Sequence, residues 1–266
     1  MLFLIWLKIK IFFYYPNTYF FKKSSKTFVN DSNTIIFAKN KFMTNFGLLL
    51  KVASQLYVKN PNSSNLGQKI ITNSIEMIDN LGFEKFTFKK LSIQINSTES
   101  SIYRYFENKH QLLVYLASWY WNWVYYQISL ATLNIDSDIV KLKNAITILT
   151  TDIKEDPSIS HINEITLNRI IITEFSKVIH TKDVDTENKN GWFESYKKVI
   201  NKVTSLILAV NKNFIYAQML VTTIIEGAQQ QRYYTKHLPS ITNTKKDKNA
   251  ITNFYTDMVF KMILQQ

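Results

Sequence analysis

The chain has 266 residues, enough for a sizeable hydrophobic core and for two domains. Hydrophobic residues make up 46% of it and aromatics 14%, with only five Gly and four Pro, which favours a mostly helical globular protein over a sandwich or a disordered chain. The net charge of +12 invites a nucleic-acid reading, and the absence of cysteine excludes disulfides, thiolate catalysis and cysteine-based zinc sites while fitting a reducing cytoplasm.

The first 42 residues are unlike the rest. Met1–Phe21 is rich in Phe, Ile, Leu and Tyr, but its uninterrupted apolar run, Leu2–Leu7, is far short of the ~20 residues a spanning helix needs. No basic region precedes the run and no small-residue cleavage site follows it, so it does not read as a signal peptide. Two readings stay open: translated upstream sequence of an AT-rich genome, with Met43 the true initiator, or an interfacial anchor with Lys8 and Lys10 among large apolar groups.

From residue 43 the pattern becomes regular. Asn45–Val58 is predicted to form an extra helix, with Phe46, Leu49, Leu50, Ala53 and Leu56 on one face. Asn60-Pro61-Asn62-Ser63-Ser64-Asn65 is a linker with turn chemistry. Asn65 and Gln68 are placed as a capping box for a helix ending near Asn80, with Gly82 just past it.

Residues 87–109 are the most informative stretch. Thr87 suits an N-cap, and Leu91 and Ile95 follow at helical spacing. Asn96 sits where the chain must reverse and tolerates the left-handed conformation. Ser97 or Thr98 then caps a short helix dense in hydroxyls, ahead of Tyr103, Arg104 and Tyr105. Such a helix, braced by a preceding one, suits phosphate and base-edge contacts in a DNA groove.

Residues 66–113, with Ile70–Ile78 as a first helix, Gly82-Phe83, the capped turn, Tyr103, Phe106 and Lys109 spaced without a gap, resemble the DNA-binding domain of the TetR family of transcription regulators (TetR/AcrR type). The resemblance covers about a fifth of the chain. It implies a three-helix, helix-turn-helix domain over 64–113 and an all-helical effector-binding and dimerisation domain over 114–266, within an all-α fold. It also implies DNA contacts from Thr87, Lys89, Thr98, Glu99, Ser100, Ser101, Tyr103, Arg104, Tyr105 and Lys109. Tyr103 and Lys109 occupy positions that usually touch phosphate, and Tyr105 stands where the family commonly has His. Glu99 replaces a frequent Lys and Ser100 a frequent Gly, so the operator should differ from that of Lys-Gly members. The charge lies elsewhere: residues 1–65 carry +8, residues 66–120 only +1. The DNA reading therefore rests on the motif, with Lys69, Lys89, Lys90, Arg104 and Lys109 as phosphate partners.

Asn108 and Gln111 repeat the capping device and open a long helix over about 108–132. Further helices are predicted over 138–155 (stopped by Pro157), 162–180, 190–210, 213–236 and 248–265, separated by loops such as Thr181–Asn190 and Pro239–Lys248. The long helix carries six aromatics in eight residues, Trp119 to Tyr126, which cannot all face one way at about 100° per residue. One stripe is expected in the core and another around a small-molecule effector, with Trp119, Trp123, Tyr126 and Arg169 as ligand-binding candidates. Glu164 and Glu174 are further candidates for polar groups in such a pocket.

Phe214, Leu220, Val221, Ile224 and Ala228, then Phe254, Tyr255, Met258, Val259 and Met262, make the last two helices apolar. The resemblance implies homodimerisation through 213–266. No histidine pair has metal spacing and no nucleophile or phosphate-loop motif occurs, so neither a metal site, a cofactor nor an enzyme activity is expected. The expected function is a cytoplasmic, ligand-responsive repressor that binds a pseudo-palindromic operator in double-stranded DNA, with membrane association disfavoured. The rival is a membrane-associated helical interaction protein anchored by residues 1–21.

Overall fold

The computed structural model describes residues 52–153, 161–244, 247 and 249–264, and among these all regular structure is helical. The predicted extension over 1–42 and the first half of the Asn45–Val58 helix lie outside the described residues. The second half is not an α-helix. Ser54–Leu56 makes a single 3₁₀ turn and Tyr57 is extended. Leu56 is fully buried there, and the Val58 N–H bonds the Tyr105 carbonyl at 2.8 Å, so tertiary pairing overrides the local periodicity.

Helix α1 spans Asn65–Leu81. Its N-cap is Ser64, whose hydroxyl accepts from the Gly67 N–H at 3.2 Å, one residue earlier than the expected Asn65 cap. A further 3₁₀ turn, Pro61–Ser63, packs on the helix start so closely that a Cβ on Gly67 would run into the Pro61 carbonyl. Ile70, Ile71, Ile75 and Ile78 form the buried face, each burial worth roughly 1.5–3 kcal/mol. Gly82 ends the helix at φ 77°, a conformation that glycine adopts without steric cost.

Helices α2 (Phe88–Gln94) and α3 (Glu99–Tyr103) follow, packed on each other, with α2 against α1. Helix α4 (Lys109–Ala131) is the centre of the molecule. Its residues from Gln111 to Val124 are all buried, which suits a helix apolar all round. Around it pack α5 (Asp138–Thr150), α6 (Glu164–Glu174), α7 (Ser176–Ile179) and, most extensively, α9 (Glu194–Val210). Short α8 (Val184–Lys189) precedes α9; α10 (Ala217–His237) and α11 (Ala250–Leu264) close the chain.

Three predicted boundaries move for identifiable reasons. Helix α5 stops at Thr150, not near Pro157: the buried Arg232 guanidinium donates to the Leu149 and Thr151 carbonyls at 2.9 and 2.8 Å and so caps that end. The predicted 162–180 helix is two, α6 and α7, with buried Phe175 between them. The predicted Thr181–Asn190 loop contains α8, held because buried Glu187 meets His110 Nε2 at 2.7 Å.

Candidate nucleic-acid interface

The helix-turn-helix is built by local hydrogen bonds. Thr87 Oγ1 accepts from the Lys90 N–H at 3.2 Å and opens α2. Asn96 takes φ 52° and turns the chain, with the Ser97 N–H donating back to the Ser92 carbonyl at 2.9 Å. Thr98, not Ser97, caps α3: its Oγ1 accepts from the Ser101 N–H at 3.2 Å and lies 3.0 and 2.8 Å from the Ser100 and Ser101 hydroxyls. Beneath this shell, Phe86, Phe88, Leu91, Ile102 and Phe106 are buried, so the pair of helices is fixed on α1.

Of the side chains named from the sequence, most stand outward. Thr87, Lys89, Thr98, Ser100 and Arg104 are exposed, and Glu99 and Ser101 are half-buried. Tyr103 is 48% exposed; its ring stands edge-on to Phe88 at 5.1 Å and its hydroxyl donates to Glu99 Oε1 at 3.4 Å. That contact answers part of the question raised by Glu99, whose carboxylate turns along the helix to Tyr103. Lys90 donates to the Lys85 carbonyl at 2.8 Å, and Lys69 stands on α1.

Two expected phosphate contacts are engaged by other parts of the protein. Tyr105 is only 3% exposed, and its hydroxyl lies 2.8 Å from the N-cap hydroxyl of Ser64. It is a core residue that ties the start of α1 to the end of α3. Lys109 is half-buried; its Nζ donates to the Phe83, Glu84 and Phe86 carbonyls at 3.0, 3.3 and 3.4 Å and sits 4.6 Å from the Phe83 ring centre. With its three donors so engaged, it fastens the loop between α1 and α2 to the start of α4. Lys109→Ala should therefore lower stability by roughly 1–2 kcal/mol in chemical denaturation. It should leave the salt slope of DNA binding unchanged, and a slope smaller by about one would return Lys109 to the phosphate contacts.

Sequence reasoning missed the ties between this unit and the helices behind it, because each partner lies 90 or so residues away. Arg169 was expected at an effector; instead its Nε and Nη2 pair with Asp79 Oδ1 and Oδ2 at 2.9 and 2.6 Å, locking α6 to α1. Glu174 Oε1 accepts from the Phe83 N–H at 3.2 Å, and Lys177 bridges Glu174 and Glu84 at 2.8 and 3.0 Å. Hydrogen bonding to Glu174 raises the Lys177 pKa, and Lys177 in turn holds Glu84 below the usual carboxylate value. Glu164 and Glu174 are buried, whereas the Arg169 side chain is 42% exposed.

The aromatic run on α4 is more deeply placed than expected. Trp119, Trp121, Trp123 and Tyr126 are all buried, and Tyr125, which shares the stripe of Trp121, is half-buried. Trp121 packs between Phe175 and Tyr196 at 5.5 and 4.7 Å, and Trp123 lies beside Tyr120 at 6.1 Å. The indole N–H groups of Trp121 and Trp123 meet no acceptor among the described residues.

On the last two helices the named apolar positions divide between the core and the surface. Leu220, Val221, Ile224 and Ala228 on α10, with Tyr255 and Val259 on α11, close the core of the chain itself. Gly227 lets the two helices meet, since a Cβ there would strike the Tyr255 hydroxyl. Exposed apolar side chains here include Ile215, Tyr216 and Met219 at the start of α10 and Phe254, Met262 and Leu264 on α11, whose end meets that start through the Asn211 Nδ2 donating to the Ile263 carbonyl at 2.8 Å.

Solved structures share this architecture at low sequence identity. A regulatory protein of the tetR family from Rhodococcus RHA1 superposes with a TM-score of 0.52 at 13% identity, over 75% of this chain and 97% of that one. AibR, solved with isovaleryl coenzyme A and operator DNA, superposes with a TM-score of 0.52 at 12% identity, over 73% and 98%. The fatty acid degradation regulator FadR from Bacillus halodurans gives a TM-score of 0.51 at 16% identity, over 72% and 96%. No protein-family model and no curated protein matches the sequence. Among the described residues, no helix is long and apolar enough to cross a membrane.

Proposed function

We propose that this chain, which has the fold of the TetR-family regulators, is a homodimeric DNA-binding transcriptional regulator of the cytoplasm and acts as a ligand-responsive repressor. The observation that carries the reading is α3: a capped helix in a Thr98-Asn96 turn that presents Ser100, Tyr103 and Arg104 outward beside Lys89 of α2. Residues 64–113 serve as the reading head and 114–266 as the sensing and dimerising part. Two such heads enter successive major grooves about 34–36 Å apart on a pseudo-palindromic operator. Because α4 runs unbroken from Lys109 beside the reading head to Ala131, a shift at its aromatic middle moves the head. An effector that favours the shifted form releases DNA to the extent that it binds that form better.

Selection from a random duplex library tests the reading, with a two-fold-related motif as the expected enrichment; no enriched sequence would overturn it. On the selected operator, Tyr103→Ala should weaken binding to all sequences. Lys89→Ala should reduce the salt slope by about one. Arg104→Ala should relax preference at one half-site position by about 1–3 kcal/mol. An equal loss on every sequence would make Arg104 a phosphate contact.

A further inference from the structure

The chain just ahead of α1 is fastened to the end of the reading helix. The Val58 N–H donates to the carbonyl of Tyr105, the residue that follows the Arg104 C-cap of α3, at 2.8 Å. Beside it, Lys59 Nζ stands 5.3 Å from the centre of the Tyr105 ring. The Tyr105 hydroxyl meets Ser64 Oγ at 2.8 Å, so the same tyrosine holds both ends of the segment. Leu56 is fully buried before it, and the Asn60 side chain accepts from the Asn62 N–H at 3.0 Å after it. Val58, Lys59 and Asn60 are nonetheless exposed. Lys59 is thus a surface cation on a backbone pinned at both sides, at the end of α3 that carries exposed Arg104.

This position matters because the helix-turn-helix is short of cations free to meet a phosphate. Residues 66–120 carry a net charge of only +1. Lys109 gives its donors to three carbonyls, and Lys90 turns to the Lys85 carbonyl. Each strand of a duplex carries a charge about every 3.4 Å, and a helix seated in the major groove has those charges beside its ends. An ammonium on a four-carbon stem reaches such a charge over a range of geometries, unlike the fixed fork of a guanidinium. The contact with the Tyr105 ring turns that stem toward α3 rather than away from it.

We propose that the DNA interface extends beyond the helix-turn-helix to Val58–Asn60, where Lys59 contacts a backbone phosphate flanking the groove that α3 enters. The proposal rests on the reading of α3 as the DNA-reading helix. It adds to that reading a contact that fixes register on the duplex and carries no base preference.

The full-length protein should be titrated with the operator selected from the random library and with an unrelated duplex, at several salt concentrations. Lys59→Ala should weaken both by the same factor, about fivefold per half-site at about 0.15 M salt, and should reduce the salt slope by about one per half-site. Lys59→Arg should keep wild-type affinity and slope. Lys59→Gln, which leaves a stem over Tyr105 without the charge, should behave as Lys59→Ala. A wild-type slope in Lys59→Ala overturns the proposal. So does a loss in Lys59→Ala that Lys59→Gln recovers, since the stem would then act by packing on Tyr105. A loss confined to the operator would make Lys59 a base contact and overturns it too. If Lys59→Ala does not fold by circular dichroism, Lys59→Gln decides. Failure to select any operator, or an operator whose binding Tyr103→Ala and Arg104→Ala leave unchanged, overturns the reading of α3 and this proposal with it.

Discussion

Met219→Glu combined with Phe254→Glu should give a folded monomer that no longer holds its operator. Met219 is 67% exposed and Phe254 59%, on the two helices that end the chain, in company with Ile215, Tyr216, Met262 and Leu264. Large apolar groups left exposed on the two closing helices suit an interface, and in a two-fold dimer each substitution is felt twice. Carboxylates brought together across that interface lose hydration without gaining partners. A single reading head makes half the contacts, so operator affinity should fall by about a thousandfold or more, toward nonspecific binding. Sedimentation velocity and an operator titration check both parts, and circular dichroism checks the fold. An intact dimer would remove this surface as the interface. Ile224, apolar and on the same helix, is the wrong place for such a test: it is fully buried within the chain, so Ile224→Glu should unfold the protein.

Trp123→Ala should cost about 3–5 kcal/mol of stability, the usual range for deleting a buried indole. For a chain of this size the melting temperature should then fall on the order of 10 °C. Trp123 is buried on the central helix, stands beside Tyr120 and belongs to a stripe that includes Trp119 and Tyr126. The same substitution separates packing from sensing. If the indole lines an effector pocket, the loss of stability should be smaller, the response to the effector should vanish, and operator affinity should persist. Unchanged stability together with unchanged response would show that Trp123 does neither. Trp121→Ala, wedged between Phe175 and Tyr196, is expected to lose stability alone.

Features whose causes lie within a few residues were legible in the sequence. Thr87 caps α2, Asn96 adopts the left-handed turn, and Gly82 ends α1, because each depends on a hydroxyl, an amide or a missing Cβ acting on its own backbone. The Asn108–Gln111 device opens α4, although Gln111 Oε1 accepts from the Glu107 N–H rather than from that of Asn108. Helical periodicity located every long helix of the described residues, since one buried stripe is a property of the helix itself.

Tertiary packing decided which side chains are free to act. Tyr105 and Tyr103 are both tyrosines on one short segment, yet one is sealed against Ser64, 41 residues away, while the other faces water. Lys109 is engaged by carbonyls 23 to 26 residues before it, and Arg169 by a carboxylate 90 residues before it. Arg232 reads in sequence as one more basic residue near a helix end; only the packing of α10 against the end of α5 makes it the donor to the Leu149 and Thr151 carbonyls. On α10 and α11, periodicity marked apolar positions but did not divide them between the core and the exposed Met219–Phe254 surface. The physical reason is common to all of these. Capping and turn energies are set by backbone groups a few residues apart, whereas burial and ion pairing depend on which distant segments fill the neighbouring space.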